Sequence, residues 1–124
     1  MENVSLQASG LKKAFNRRTI FSDISFTLRN TNSLAIAGRN GSGKSTLVKI
    51  LAGVLSATQG ETVVTVNGTK AESSDVFQYI GFVSPYLQMY DEFSALENLE
   101  IFKRARNLDI GNEFVIDLLK KVNL

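Results

Sequence analysis

The sequence contains no cysteine and no histidine, and each absence removes a kind of chemistry. Without Cys there is no disulfide and no thiol nucleophile, and without His there is no imidazole base and no ordinary zinc site. Long hydrophobic runs are also absent, since the longest, Ile50–Leu55, has six residues, whereas a membrane-spanning helix needs about 20. We therefore expect any catalysis to use carboxylates, lysines or hydroxyls. We expect no secretory signal in the first ten residues, which hold no basic side chain.

The overall composition is that of a folded protein. Hydrophobic residues make up 44% and charged residues 21% of the 124 positions, close to average globular usage, so we expect the chain to belong to one folded domain. Basic side chains concentrate in residues 1–50, which suggests nucleic acid, a phosphate ligand or a solvated surface. The cluster of Lys12, Lys13, Arg17 and Arg18 lacks alternating aromatic side chains on which bases stack. Nucleic acid is therefore not an expected partner.

Apolar residues that alternate with polar ones predict several strands. The alternation over Val4–Ala8 and Ile24–Leu28 predicts two half-buried strands, each with one face in water. Ser33–Ala37 is a short run of small and apolar residues, which predicts a strand covered on both faces. Glu61–Val66 precedes a turn-forming Asn-Gly pair and predicts another strand, and Ile80–Val83 predicts a short buried one.

Helical spacing of apolar residues predicts three helices. The spacing is carried by Leu47, Ile50, Leu51 and Val54, then by the segment after Ser94, and finally by Val115, Leu118, Leu119 and Val122. Ser94 with Glu97 three residues later is a capping box, and we expect its helix to run to about Arg106.

A phosphate-binding motif lies between the third predicted strand and the first predicted helix. Residues 38–45 read Gly-Arg-Asn-Gly-Ser-Gly-Lys-Ser, which matches the Walker A pattern Gly-x-x-x-x-Gly-Lys-Ser/Thr. The glycines let the backbone curl so that successive amide groups point at one anion. Lys44 offers an ammonium to the β- and γ-phosphates, and Ser45 offers a hydroxyl to Mg²⁺. The sequence therefore predicts nucleotide binding, against the alternative of a glycine-rich turn without a ligand.

Along nearly all of its length the chain resembles the ATP-binding subunits of ABC transporters. The resemblance is carried by Leu11–Phe15, Ile24–Leu28, Asn40–Leu47, Leu51–Gly53, Gly60-Glu61, Asn67-Gly68, Glu97–Leu99 and Leu118–Leu124. It implies an α/β fold: a P-loop NTPase core with an antiparallel β subdomain and the start of a helical subdomain, incomplete. It divides the chain into residues 1–93, with the β subdomain and the P-loop strand and helix, and residues 94–124, the start of the helical subdomain.

The same resemblance implies ATP and Mg²⁺ as ligands. The residues that it assigns to nucleotide binding are Phe15, Gly38, Arg39, Asn40, Gly41, Ser42, Gly43, Lys44, Ser45 and Thr46. Phe15 aligns with an aromatic side chain that stacks on adenine, whereas the residues alone favour packing in the core at a strand end. Ser45 is the expected Mg²⁺ ligand.

One position departs from the family pattern. The family glutamine that helps to hold Mg²⁺ aligns with Pro85, which has no side-chain oxygen. Gln88, three residues later, is the candidate replacement as a metal ligand. The alternative for Gln88 is an ordinary solvated loop residue.

The resemblance also implies partners and a location. The family's signature motif, Walker B Asp-Glu pair and switch histidine would follow Leu124, so we expect a fragment of an ATPase that has no catalytic residue of its own and is inactive alone. Two such subunits and a transmembrane permease are the expected assembly, placed at the cytoplasmic face of a membrane. A truncated, non-hydrolytic nucleotide-binding or interaction module, favoured by Pro85, and a soluble ABC ATPase without a transport role remain alternatives. The stretch Tyr90–Leu99 resembles the corresponding segment of ABC transporter subunits, which favours the transport role.

Overall fold

A computed structural model describes residues 3–72, 75–85 and 88–123. The strands are β1 (Val4–Phe15), β2 (Arg18–Arg29), β3 (Gln59–Val66) and β4 (Thr69–Lys70), and the helices are α1 (Lys44–Leu51), α2 (Val76–Tyr79), α3 (Ala95–Ala105) and α4 (Asn112–Lys121). The chain forms two compact units, the N-terminal unit Met1–Gly81 and the C-terminal unit Phe82–Leu124. The predicted division after residue 93 stays a prediction.

The strands form one antiparallel sheet in the order β2-β1-β3-β4. β1 and β2 make a hairpin in which Phe15 pairs with Arg18. Its turn contains Asn16 at φ 53°, a left-handed conformation that Asn tolerates better than most residues. Along β2 the side chains of Ile24, Phe26 and Leu28 are half-buried and their neighbours are exposed, which confirms the predicted alternation.

A close backbone contact brings the end of β1 beside the segment that leads into β3. The β1–β3 register shifts between Ser9 and Lys12, after which Lys12 pairs with Gln59. Gly60 has φ 81°, and a Cβ there would lie 2.4 Å from the carbonyl oxygen of Gly10, so only glycine fits. The result is that residues 56–58 lie against the last part of β1.

The core of the N-terminal unit lies between the sheet and α1. Its buried members are Ala8, Leu11, Leu47 and Ile50, with half-buried apolar side chains around them. The predicted stripe on α1 is thus confirmed at Leu47 and Ile50, but Val54 is 62% exposed. The helix ends at Leu51, and Gly53 turns the chain with φ 72°, so Val54 is no longer in helical register.

Two predicted strands are wrong. Residues 32–39 have no regular secondary structure, and Leu34 within the predicted Ser33–Ala37 strand is exposed. Ile80–Val83 is not a strand either, and Val83 is exposed. A buried parallel strand is stabilised by hydrogen bonds to strands on its flanks, and neither segment joins a ladder within the described ranges. Apolar composition alone does not supply those neighbours.

In the C-terminal unit, α3 and α4 contact each other. The predicted capping box is confirmed, because the Ser94 hydroxyl accepts from the Glu97 amide and the Glu97 carboxylate accepts from the Ser94 amide. α3 ends at Ala105 and α4 covers most of the last predicted helix. None of the helices in the described ranges has the length and apolar character that a bilayer span requires.

A buried amide holds the turn that leads into α3. Asn98 is 3% exposed, and its Oδ1 accepts a hydrogen bond from the Tyr90 amide at 2.8 Å. Its Nδ2 lies 3.0 to 3.1 Å from the carbonyl oxygens of Tyr90, Phe93 and Ser94. Every polar atom of the Asn98 side chain is therefore used to hold residues 90–94.

Candidate phosphate-binding site

The glycine-rich residues 38–43 connect an extended segment to the start of α1. Gly43 is the residue before the helix, with φ 93°. A Cβ on Gly43 would lie 2.4 Å from Cγ2 of Ile20 on β2. Both the positive φ and the close approach to the sheet require glycine here, so the spacing of the motif has a structural cause in this chain.

Lys44, the first residue of α1, folds its side chain back over the loop. Its Nζ donates to the carbonyl oxygen of Gly38 at 2.7 Å and to that of Arg39 at 2.9 Å. The amide of Ser42 donates to the same Arg39 carbonyl oxygen at 3.2 Å. The loop thus closes around the ammonium of Lys44, a half-buried residue. Phosphate oxygens would be stronger acceptors for that ammonium than neutral carbonyl groups, because both partners then carry charge.

The start of α1 carries a positive electrostatic end without a side-chain cap. Gly43 provides no side-chain cap, and the first turn contains no acidic residue. A helix N-terminus presents unsatisfied amide groups and the positive end of the helix dipole. Arg39 is exposed in the loop and adds a further cation. This arrangement favours an anionic ligand.

A cavity of about 240 Å³ lies next to the loop, between it and the sheet. Gly38, Ser42, Gly43 and Lys44 line it on the loop side, and Phe21, Ile24, Ile36 and Leu47 supply the apolar lining. A second cavity of about 350 Å³ in the same unit is lined by residues near the far end of α1, such as Ile50 and Leu55, and by none of the predicted site residues. Only the smaller cavity therefore belongs to the candidate site.

Phe15 lies at the end of β1 and is 49% exposed. Its ring is therefore not a core side chain, which makes the core-packing alternative wrong. The Nζ of Lys13 lies 4.9 Å from the ring centroid and donates to the carbonyl oxygen of Ser56 at 2.7 Å. The contact of Lys13 with Phe15 was not predicted from the sequence. A spacing of two residues would place both side chains on one face of a regular strand, but β1 has a register shift between Lys13 and Ala14.

The other predicted site residues divide between the two units. The nine residues from Gly38 to Thr46 lie together in the loop and the first turn of α1, and Asn40 and Ser45 are exposed there. Pro85 lies in an exposed turn and Gln88 is exposed, both in the C-terminal unit. The metal role of Gln88 stays a prediction. Within the described part of the chain, acidic side chains form no group of three that could hold a metal.

Comparison with known proteins gives concordant matches. The ABC transporter family model matches residues 21–124. The linearmycin resistance ATP-binding protein LnrL of Bacillus subtilis is 33% identical over 106 residues, covering 86% of this chain and 34% of that protein. The lantibiotic transport ATP-binding protein SrtF of Streptococcus pyogenes is 30% identical over 119 residues, covering 96% of this chain and 50% of that protein. The chain thus spans about a third to a half of the length of these curated relatives.

A solved structure has the same fold. An ABC transporter ATP-binding protein from Pyrococcus furiosus superposes with a TM-score of 0.77 at 22% identity, covering 97% of this chain and 57% of that chain. This superposition confirms the predicted fold class, an incomplete α/β P-loop fold with an antiparallel sheet and helices.

Proposed function

The chain belongs to the ABC transporter family of ATP-binding proteins, and we propose that its phosphate loop binds MgATP as part of an ATPase that powers transport across a membrane. One observation carries the proposal. The loop from Gly38 closes around the Lys44 ammonium at the uncapped, positive end of α1. A site of this kind binds the phosphates of a nucleotide through backbone amides and one mobile cation.

Phosphate binding proceeds by exchange of partners at Lys44. The ammonium donates to the carbonyl oxygens of Gly38 and Arg39. When a triphosphate enters, charged phosphate oxygens replace these neutral acceptors, and each new hydrogen bond is charge-assisted and stronger. The helix dipole of α1 stabilises the same negative charge.

The donor set fits Mg²⁺. Ser45 is exposed in the first turn of α1 and offers a hydroxyl oxygen next to the half-buried Lys44. Mg²⁺ prefers oxygen ligands and retains several waters, so it needs few protein groups. When bound, the ion neutralises phosphate charge and orients the phosphates. Gln88 is the proposed second contributor.

The base binds at Phe15. The ring is half-exposed at the tip of the β1–β2 hairpin, and stacking of a base on an aromatic side chain contributes about 1–3 kcal/mol. Stacking does not distinguish adenine from other bases, because every base has a flat face. Selection of ATP over other nucleotides therefore needs contacts beyond Phe15.

Hydrolysis and transport belong to an assembly. We propose that a second ATP-binding subunit and a transmembrane permease complete it at the cytoplasmic face of a membrane. The names of the relatives LnrL and SrtF, which refer to resistance and to lantibiotic transport, support a role in transport for the whole protein. The substrate would be selected by the permease.

Pro85 favours a second candidate, nucleotide binding without hydrolysis. The residue lies in an exposed turn and offers no side-chain oxygen to a metal. If Gln88 does not take over that role, the chain binds MgATP and turns it over slowly or not at all, even beside its partners. Phosphate release by the assembled protein, with Gln88→Ala as the comparison, separates the two candidates.

The proposal is tested by equilibrium titration of the chain with MgATP and a fluorescent analogue. Lys44→Ala removes the cation that spans the loop, and we expect affinity to fall by tenfold or more, which corresponds to about 1.4 kcal/mol. Lys49→Ala is the matched control, because Lys49 lies in the last turn of the same helix. Circular dichroism checks that each variant is folded. Equal binding by folded Lys44→Ala and by the unchanged chain contradicts the proposal.

A further inference from the structure

Lys13 and Phe15 are linked by geometry at the end of β1. They lie two residues apart in β1, across a register shift between Lys13 and Ala14, and their side chains meet. The Lys13 Nζ lies 4.9 Å from the Phe15 ring centroid, within the range of a cation–π contact. The same Nζ donates to the carbonyl oxygen of Ser56 at 2.7 Å. The Ser56 carbonyl group therefore holds the ammonium while the ammonium covers one face of the Phe15 ring.

The segment that holds Lys13 is itself fixed to β1. The Thr58 amide donates to the Lys12 carbonyl oxygen at 2.8 Å, and the Ala14 amide donates to the Thr58 hydroxyl oxygen at 3.0 Å. The Thr58 hydroxyl in turn donates to the Ala14 carbonyl oxygen at 3.3 Å. Because this segment follows α1 and precedes β3, it joins the hairpin tip to the helix that begins at the phosphate loop.

We propose that Lys13 is a positioning residue for Phe15, holding the ring so that only its opposite face receives an aromatic base. The inference rests on the proposed nucleotide function. A ring that is already immobile loses less conformational entropy when a ligand stacks on it. With one face covered by the ammonium, the ring accepts a single base. The ligand class at this position is a nucleotide base, and Lys13 acts through Phe15 and not through the phosphates.

The test compares MgATP with inorganic triphosphate, which has phosphates but no base. Lys13→Met keeps an unbranched apolar side chain and removes the charge and the donor. We expect the Kd for MgATP to rise about two- to fivefold, the range of an exposed cation–π contact, and the Kd for triphosphate to stay unchanged. Lys13→Arg should restore MgATP affinity, since a guanidinium also binds an aromatic face and a carbonyl group.

Two further variants separate positioning of Phe15 by Lys13 from a general effect of positive charge and from an effect that does not need the ring. Lys12→Met removes the neighbouring cation, and we expect no change, because no cation–π contact involves Lys12 within the described residues. In a Phe15→Ala background, Lys13→Met should cause no additional loss of MgATP affinity, since the ring through which it acts is gone. A proton contact between the Lys13 side chain and the Phe15 ring in NMR spectra of the unaltered chain tests the geometry without any variant.

The outcomes are distinct. If Lys13→Met weakens MgATP and triphosphate equally, Lys13 acts as a general phosphate attractant and the inference is wrong. If Phe15→Ala weakens MgATP binding but Lys13→Met does not, the inference fails while base stacking stands. If the chain binds MgATP no better than triphosphate and Phe15→Ala has no effect, base stacking itself fails. Absence of the Lys13–Phe15 proton contact overturns the inference even if Lys13→Met does not fold.

Discussion

The starts of α1 and α3 differ in how their backbone groups are satisfied. Before α3, the Ser94 and Glu97 side chains cap the helix and Asn98 holds the turn from within. Before α1, the N-cap is Gly43, no side chain caps the amides and no acid lies in the first turn. The third helical residue is Glu97 in α3 and Thr46 in α1.

The difference supports the proposed anion site at the start of α1. A carboxylate at the third position of α3 already provides the negative charge that the helix dipole favours. The first turn of α1 has no such charge. Glycines leave the loop before it without bulky side chains, and Lys44 lies over that loop. The Ser94 and Glu97 side chains complete the start of α3, whereas we propose that an anion completes the start of α1.

We expect the largest loss of stability from a substitution that disturbs the backbone at the start of α1. Gly43→Ala forces a side chain into a left-handed conformation and against Ile20, and we expect it to lower the free energy of unfolding by about 3 kcal/mol. The matched control is Gly111→Ala at the N-cap of α4, where φ is −67° and nothing lies near the added Cβ. There we expect a loss of at most about 1 kcal/mol. Equal losses in chemical denaturation would contradict the account.

We expect a smaller effect, on MgATP affinity, when α1 receives a carboxylate at the position where α3 has one. Thr46→Glu places a negative charge at the first turn of α1, where it competes with phosphate for the helix dipole and for Lys44. We expect MgATP affinity to fall about tenfold, or about 1.4 kcal/mol, without loss of helix stability. Thr46→Gln has the same shape without the charge and is the control. If both variants bind MgATP alike, charge at this position is irrelevant.

Part of this comparison could be predicted from the sequence. The Ser94–Glu97 capping box and the glycine spacing of the phosphate loop are local signals, because each depends on residues a few positions apart. The strand predicted at Ser33–Ala37 failed since a buried parallel strand is defined by its neighbours in the sheet. The contact of Lys13 with Ser56 depends on the register shift of β1 against β3, which no local pattern encodes.

The smallest expected effect is a pH dependence of stability that comes from the capped start of α3. Hydrogen bonds from the Ser94 side chain and then from the Ser94 backbone hold the pKa of Glu97 below its ordinary value of 4.5. Since the folded pKa is the lower one, the stabilisation is present above the ordinary value and is lost as pH falls through the folded value. The midpoint temperature of thermal unfolding should decline as pH falls below 5, and Glu97→Gln should reduce that decline. A decline of equal size in Glu97→Gln would assign it to other carboxylates.

Amide NMR compares the start of α1, where we propose that an anion binds, with the start of α3, where we expect none. The chain, labelled with ¹⁵N, is titrated with MgATP while the amide signals of both helix starts are followed. We expect saturable shifts at Gly41 to Thr46 and none at Ala95 to Asn98. Unchanged signals in the phosphate loop of the folded chain, or equal saturable shifts at both helix starts, would contradict the proposal.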